Sequence, residues 1–494
     1  MMKKYTLEGT VFLGGAVVMM LELTGSRILA PYVGTSTFIW TSLIGVILAS
    51  LSLGYYFGGI QADKDPSQNR LSNLLLYAGL AIGVCALINA YVLAYITFLL
   101  VSVKWAAAVS ACILFGLPAY WLGMVSPQAV RIRMKDISHS GATIGRLYAL
   151  SSLGSIVGTF FVGFYLMAWI GSRNILFLLS VLTLILSFLN AGRKESIYGI
   201  ILFLIAPFAQ SFGKGDLPKI VDTEYSAVQI VKYPAPDGKM LQVMKVGNEF
   251  SSGMYPDSDS LAFVYSKYYK LFFHYHPNPK NALMIGGGAY SVPKYFQKAY
   301  PQLDLDVVEI DPALTEISKK EFRFQPSKKV KTFHNDGRIF LNQNRKKYDV
   351  IMGDAYRSLF SIPFHLVSVE AFQKMKNSLT EDGVLIINIL SPLEGGNQDL
   401  LFAMLKTCHL VFPKVKVFKP NADVANHKVQ NLMLVCFNKA NPFQAEKISP
   451  EMAQMLSQEV NMNKAELEKG LVLSDDFSPV EHFAEKMLSD YFKR

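Results

Sequence analysis

Up to about Phe212 the chain is written in long apolar blocks, and after it in short apolar runs spaced by polar stretches. Seven blocks, 8–30, 38–60, 72–96, 105–128, 145–169, 174–191 and 196–212, meet or approach the ~20 residues that cross a hydrocarbon core of ~30 Å. Beyond residue 281 the runs are NALMIG, LDVVEI, VKTFH, YDVIMG, GVLIINI, VKVF and NLMLVCF, and amphipathic stretches of helical length separate the first five. That rhythm predicts βαβ units and a mostly parallel sheet wound on both faces. Just before it, VDTEYSAVQIVKY and MLQVMKV read as a small β module. The expected organisation is a membrane domain over 1–212, the β module and a linker over 213–280, and an α/β domain over 281–494.

Charge sharpens this division. Of the net +10, residues 1–212 contribute 13 Lys and Arg against 6 Asp and Glu. Ten of those bases sit at the N-terminus and in the second, fourth and sixth loops, among them Lys64, Arg70, Arg131, Arg133, Arg193 and Lys194. The other loops hold only Lys104 and Arg173, with Arg27 at a span end. Such asymmetry places the N-terminus in the cytoplasm of a multi-pass protein of the cell (inner) membrane, its partner the lipid bilayer. It also removes the case for a nucleic-acid partner, because the basic excess belongs to the apolar half. Seven crossings put the second half outside the cytoplasm. The last block, with only 17 residues and Pro207, can instead re-enter or lie along the interface, and the expectation adopted is a cytoplasmic soluble half. The N-terminal lysines are followed by no small-residue cleavage site, so the first block reads as a span. Four scattered cysteines, Cys85, Cys112, Cys408 and Cys436, form no disulfide framework or metal-ligand spacing and read as small buried hydrophobes. No metal is expected.

Within the spans, Ser50, Gly54 and Gly58, then Gly154 with Gly158 and Ser151 with Ser155, recur every fourth residue, the spacing that lets helix backbones approach closely. Glu22 is the exception to the apolar pattern. A carboxylate inside a span is costly and marks a functional candidate, weighed against a structural ion pair.

The α/β half carries its chemistry at strand ends. LMIGGGAYSVPKY puts Gly286, Gly287 and Gly288 after the first strand, where a tight turn lets a ligand approach the backbone. Glu309 ends the second strand about 20 residues on, placed to accept from ribose hydroxyls. Asp336 in HNDGR ends the third, suited to an adenine amino group, and Asp354 in IMGDAY ends the fourth. Any one acid is ordinarily a helix N-cap; the four ends together point to a nucleoside site.

The order GGG, VVEIDP, NDGR, GDAY resembles the spermidine synthase group of the class I methyltransferase-like (Rossmann-like) fold. The stretches MLELTGSRILAPYVGTSTFIW, SLGYYFGGIQADK, GDAYRSLFSIPFHLVSVEAF and LSDDFSPVE resemble bacterial proteins that fuse several membrane spans to such a domain. The resemblance covers nearly the whole chain. It implies that Gly286 and Gly288 shape the turn under the donor's thioether-bearing part, that Glu309 holds the ribose, and that Asp336 with Gly337 holds the adenine; Gly287 and Asp311 count with them as cofactor-binding candidates. Asp354 matches the catalytic aspartate that takes a proton from the attacking amine. Tyr265 and Tyr356 fall where substrate contacts are expected. His365 is a candidate proton shuttle, and the pair Asp475 and Asp476 a candidate substrate contact. Such enzymes commonly form dimers, so a homodimer is possible.

The chain also departs from that pattern. Where the group's turn continues with an aspartate and a glycine, Ala289 and Tyr290 stand. Leu261, Ala262 and Lys267 occupy places where acids of a diamine pocket are expected, and Ser226 replaces a glutamine. A dication needs paired carboxylates to offset its desolvation. The reading is therefore aminopropyl transfer from decarboxylated S-adenosylmethionine to a small amine, with strict putrescine chemistry in question. One alternative is methyl transfer from S-adenosylmethionine to a membrane-associated acceptor. Another is a transporter or sensor with a non-catalytic nucleoside-binding or polyamine-binding domain.

Overall fold

The computed structural model describes residues 2–491 apart from 34–36, 101, 135–139, 213–219, 236–237, 248, 277, 356–362, 463–467 and 469. It separates into two compact units, 1–227 and 228–494.

In the first unit, six helices of the described residues are long and apolar enough to cross a bilayer. They are α1 (Thr6–Val33), α2 (Thr37–Lys64), α3 (Gln68–Leu99), α4 (Lys104–Arg133), α5 (Gly141–Leu166) and α6 (Ser172–Ala191). The seventh predicted block is outside that set of six but is also helical, as α7 (Lys194–Phe212) of 19 residues, and a short strand, β1 (Ile220–Asp222), follows it. The small residues lie at helix contacts. A Cβ on Gly154 would run into the Phe12 carbonyl, one on Gly158 would sit 2.7 Å from the Ala16 carbonyl, and Ser155 donates to the Gly15 carbonyl at 3.1 Å. Residue numbers rise together across these contacts, so α1 and α5 run parallel. In the antiparallel pair α3 and α6, Ser72 and Ser187 each donate to the other's carbonyl at 2.7 Å, and Ser180 donates to the Gly79 carbonyl at 2.6 Å. Glu22 is half-buried on α1. Cys85, Cys408 and Cys436 are buried as expected, whereas Cys112 is exposed on its helix.

In the second unit, β2 (Ala227–Pro234), β3 (Met240–Val246), β4 (Glu249–Tyr255) and β5 (Ser258–Leu261) form an antiparallel meander. The last two strands were not legible in the pattern, because EFSSGMY and SDSL are polar and short. Every apolar run of the α/β half is a strand: β6 (Asn281–Ile285), β7 (Asp304–Glu309), β8 (Val330–His334), β9 (Tyr348–Gly353), β10 (Leu379–Ser391), β11 (Lys414–Phe418) and β12 (Gln430–Phe437). With β13 (Glu459–Val460) they make one sheet of order β13-β11-β12-β10-β9-β6-β7-β8. It is mixed: β10, β9, β6, β7 and β8 are parallel, while β12, β11 and β13 add antiparallel.

Side chains alternate to two apolar layers. Leu283, Ile351, Leu385, Phe372 and Leu401 pack on one face, and Met284, Val350, Ile386, Phe296 and Tyr269 on the other. β6 lies between β7 and β9, so the winding reverses there, and ligands of such sheets bind at the strands' carboxyl ends beside that reversal.

The helix contacts generate a stability prediction. Gly154→Ala should lower the apparent melting temperature of the detergent-solubilised chain, a loss of about 1–3 kcal/mol from overpacking against backbone. Gly45→Ala on α2, with nothing within 4 Å of the added carbon, should be neutral or gain up to about 1 kcal/mol. Equal melting temperatures for the two variants would contradict the close α1–α5 approach.

Candidate active site

The turn after β6 needs glycine at two positions for two reasons each. Gly286 has φ +97°, and a Cβ there would strike the Asp354 carbonyl; Gly288 has φ +52°, and a Cβ would lie 2.6 Å from the Ser252 hydroxyl. Glu309 holds this turn from below. Its Oε2 accepts from the backbone N–H of Gly287 at 2.8 Å and of Gly288 at 3.1 Å, and its Oε1 accepts from Asp311 N–H at 3.0 Å. Burial pushes the Glu309 carboxyl above its ordinary range, against the pull of those three bonds. A carboxylate offers about four acceptor positions, so the structure gives the expected ribose ligand a prior task in shaping the turn. Asp311 is buried and caps the next helix, α8 (Pro312–Glu321), by accepting from Ala313 N–H at 3.0 Å.

Tyr290 also departs from the ordinary, with φ +56°. Its ring is buried, stacked on Phe324 at 4.4 Å, and its hydroxyl meets Thr315 Oγ1 at 2.8 Å. It packs into the core. Ala289 is buried among Val228, Met244, Met254, Leu314 and Phe322, and its N–H donates to Ser252 Oγ at 3.1 Å. An acid at 289 would meet an apolar cluster.

Asp354 stands at the carboxyl end of β9, next to this turn, with its N–H on the Ile285 carbonyl at 2.9 Å. The side chain is half-buried and held on both sides. Oδ1 accepts from Asn388 Nδ2 at 3.0 Å and Oδ2 from the Tyr265 hydroxyl at 3.2 Å. Asn388 is itself fixed, its Oδ1 accepting from Asn431 Nδ2 at 3.0 Å, and Tyr265 stacks on Phe263. Burial raises the Asp354 carboxyl to about 6, with the Asn388 and Tyr265 bonds pulling the other way. The Tyr265 phenol goes well above its usual value through burial and the adjacent Asp354. A carboxylate titrating near neutrality, with its orientation locked from two elements, suits proton acceptance.

Asp336 caps the helix α9 (Gly337–Gln343), Oδ1 accepting from Arg338 N–H at 2.8 Å and Ile339 N–H at 3.1 Å. Gly337, the first residue of that helix, is buried. His365 Nε2 lies 3.2 Å from Asp336 Oδ2, and this bond, more than the capping bonds, holds the Asp336 carboxyl down at about 2 despite partial burial. His365 is thus bonded to the third strand's acid. It therefore lies beside the adenine-binding candidate.

Asp475 likewise has another partner than substrate. Both its oxygens bond Arg338, at 3.1 and 2.6 Å, and the Ser368 hydroxyl donates to it. Burial opposes the shift, but the Ser368 and Arg338 bonds leave the Asp475 carboxyl below its usual range. The contact ties the C-terminal loop to α9 and to the start of the helix at Val369–Ser378. Asp476 is exposed, and Tyr356 lies outside the described residues. Among the described residues no group of three or more His, Cys, Asp or Glu is placed to hold a metal.

Three residues of this site escaped the sequence reading: Asn388, Asn431 and Ser252. For Asn388 a signal existed, since it is the one polar residue inside the apolar run GVLIINI, and a buried amide needs a partner.

Residues 267–441 match the family described as "Spermine/spermidine synthase domain". The polyamine aminopropyltransferase of Vibrio vulnificus is 28% identical over 206 residues, 40% of this chain and 66% of the relative. The eEF1A lysine and N-terminal methyltransferase of Bos taurus is 29% identical over 212 residues, 41% of this chain and 29% of the relative. The crystal structure of a probable spermidine synthase from Corynebacterium glutamicum aligns with a TM-score of 0.42 at 21% identity, covering 55% of this chain and 94% of that one. The chain thus spans less than two thirds of the length of either curated relative. Residues 267–441 thus match the spermine/spermidine synthase domain family, and over that part of its length the chain is similar to polyamine aminopropyltransferases.

Proposed function

We propose that the C-terminal unit transfers an aminopropyl group from decarboxylated S-adenosylmethionine to an amine, and that the helical unit anchors it in a membrane. The observation that carries the reading is the Asp354 carboxylate, half-buried at the switch point beside the glycine turn and gripped by Tyr265 and Asn388. An ammonium presented to it gives up a proton to Asp354. The freed lone pair then attacks the carbon next to the donor's sulfonium, a C–N bond forms, the C–S bond breaks, and the electrons leave with a neutral thioether nucleoside. Gly286 and Gly288 let the turn pack against Asp354 and Ser252, and Glu309 braces it in the position proposed for the donor. Asp336 is the candidate contact for the adenine, with His365 setting its orientation.

A second reading has two observations in its favour. Ala289 sits in an apolar cluster and supplies no anion for the amine of a decarboxylated donor, and relatives from Bos taurus and Homo sapiens are named as methyltransferases. Methyl transfer from S-adenosylmethionine would use the same turn. Calorimetry of the solubilised full chain with each adenosyl compound separates them: tighter binding of the decarboxylated form supports aminopropyl transfer, and the reverse supports methyl transfer.

Asp354→Asn should abolish turnover while leaving donor affinity within about twofold, because the acid meets the acceptor amine. The variant should be no less stable than the parent. A carboxyl raised to about 6 in the folded state, from ~3.9 unfolded, favours folding when protonated, and that contribution fades as pH rises from about 4 through about 6. An amide never ionises and avoids the loss. Turnover retained in this variant would remove Asp354 as the base.

The rate should rise with pH through a midpoint near 6, since only the ionised form accepts a proton. In Asn388→Ala that midpoint should move upward, because the lost amide had favoured the charged form. An unmoved pH profile would show that a different group limits the rate.

A further inference from the structure

The two ends of the helical unit can be told apart by which residues meet there. At one end Arg133 of α4 pairs with Glu8 of α1 at 3.4 Å, and Arg131 with Asp63 of α2 at 3.2 Å. Gln128 of α4 donates to the Asp65 and Ser67 carbonyls between α2 and α3, at 2.7 and 3.1 Å. Asn190 of α6 donates to Thr10 of α1 at 2.9 Å, and Ser196 of α7 to Ser187 of α6 at 2.9 Å. This end therefore gathers the starts of α1, α3 and α7 and the finishes of α2, α4 and α6. It carries Lys64, Arg70, Arg131, Arg133, Arg193 and Lys194.

The opposite end gathers the finishes of α1, α3, α5 and α7 and the starts of α2, α4 and α6. Lys104 at the start of α4 lies over the Phe38 ring at the start of α2, 4.4 Å from its centre. Two contacts there involve the segment that follows α7. Arg27, late in α1, donates to the Thr223 carbonyl at 3.3 Å, and the Asp222 carboxylate accepts from Ser172 N–H, the first residue of α6, at 3.0 Å. Between these ends α7 runs back along α6. Phe203 packs its ring at a tilt against that of Phe177, 6.2 Å between centres, near the start of α6, while Ser196 sits beside its finish. Nineteen residues make a helix of about 28 Å at 1.5 Å per residue, enough for the hydrocarbon thickness. The seventh block therefore traverses the unit from one end to the other, and residues 222–223 are anchored at the end poor in basic residues.

We propose that the chain leaves its membrane unit on the side opposite the N-terminus, so that the spermine/spermidine synthase domain works outside the cytoplasm. This rests on the membrane anchoring proposed above, and it reverses the side expected from the shortness of the last block. The basic end faces the cytoplasm, and residues 222–223 at the other end precede the second compact unit, 228–494, by only a few positions. The consequence is chemical. A sulfonium nucleoside carries a fixed charge and does not cross hydrocarbon unaided. A donor made inside the cell must be carried across the membrane before this domain can consume it, so the step that supplies the substrate is a translocation.

Single cysteines introduced into the full chain, with Cys85, Cys112, Cys408 and Cys436 replaced by Ala, test this in spheroplasts with a membrane-impermeant maleimide. Glu224→Cys and Lys328→Cys, both exposed positions, should label as fully in intact spheroplasts as in permeabilised ones. Lys64→Cys, exposed at the basic end, should label only after permeabilisation. Glu224→Cys and Lys328→Cys protected until permeabilisation would overturn the proposal, whatever Lys64→Cys does. An alkaline carbonate wash of the membranes keeps the two readings distinguishable. Release of the chain by that wash would sink the membrane anchoring and the sidedness with it, whereas retention with protected cysteines sinks the sidedness alone.

Discussion

Glu309 places a carboxylate in the interior of the C-terminal unit and satisfies it with backbone: the N–H groups of Gly287, Gly288 and Asp311. An unpartnered acid there would be expelled or neutralised. With three donors aimed at it, the same acid ties the end of β7 to the turn after β6. Gly286 then comes so close to the Asp354 carbonyl that no side chain fits between them, and the Asp354 N–H closes on Ile285. The glycine turn, the second strand's acid and the fourth strand's acid thus form one mechanical unit. Displacing the turn would displace Asp354.

Around that unit the acids divide by how their charge is met. Asp336 is held by two backbone N–H groups and His365 and stays strongly acidic. Asp475 is tied to Arg338 and Ser368 and serves as a latch. Among the described residues, the side-chain partners of Asp354 are neutral, phenol and amide, and burial dominates, which brings it towards neutrality. Neutral donors orient a carboxylate without stabilising its charge as a cation would. That difference separates an acid suited to proton transfer from acids suited to holding structure.

The helical unit obeys a different constraint. Close approach through Gly154, Gly158 and Ser155 and reciprocal serine bonds between α3 and α6 bring helix backbones together. The same contacts fix the direction of each helix relative to its neighbours, and so decide at which end the chain departs.

Much of this was legible in the chain itself. Apolar runs of two lengths separate a helical half from an α/β half, because spans and buried strands need different numbers of apolar residues. Period and glycine placement located β6 to β12, the turn at Gly286–Gly288 and the acids Glu309, Asp336 and Asp354 at strand ends. What the sequence could not determine was where each carboxylate would find its donors. The bond from Asn388 to Asp354 spans 34 residues and the one from Arg338 to Asp475 spans 137, and linear pattern carries no information about partners at such separations. Tertiary packing alone turned Glu309 towards the backbone, His365 towards Asp336 and Asp475 towards Arg338, since each acid takes the donors nearest to it in space.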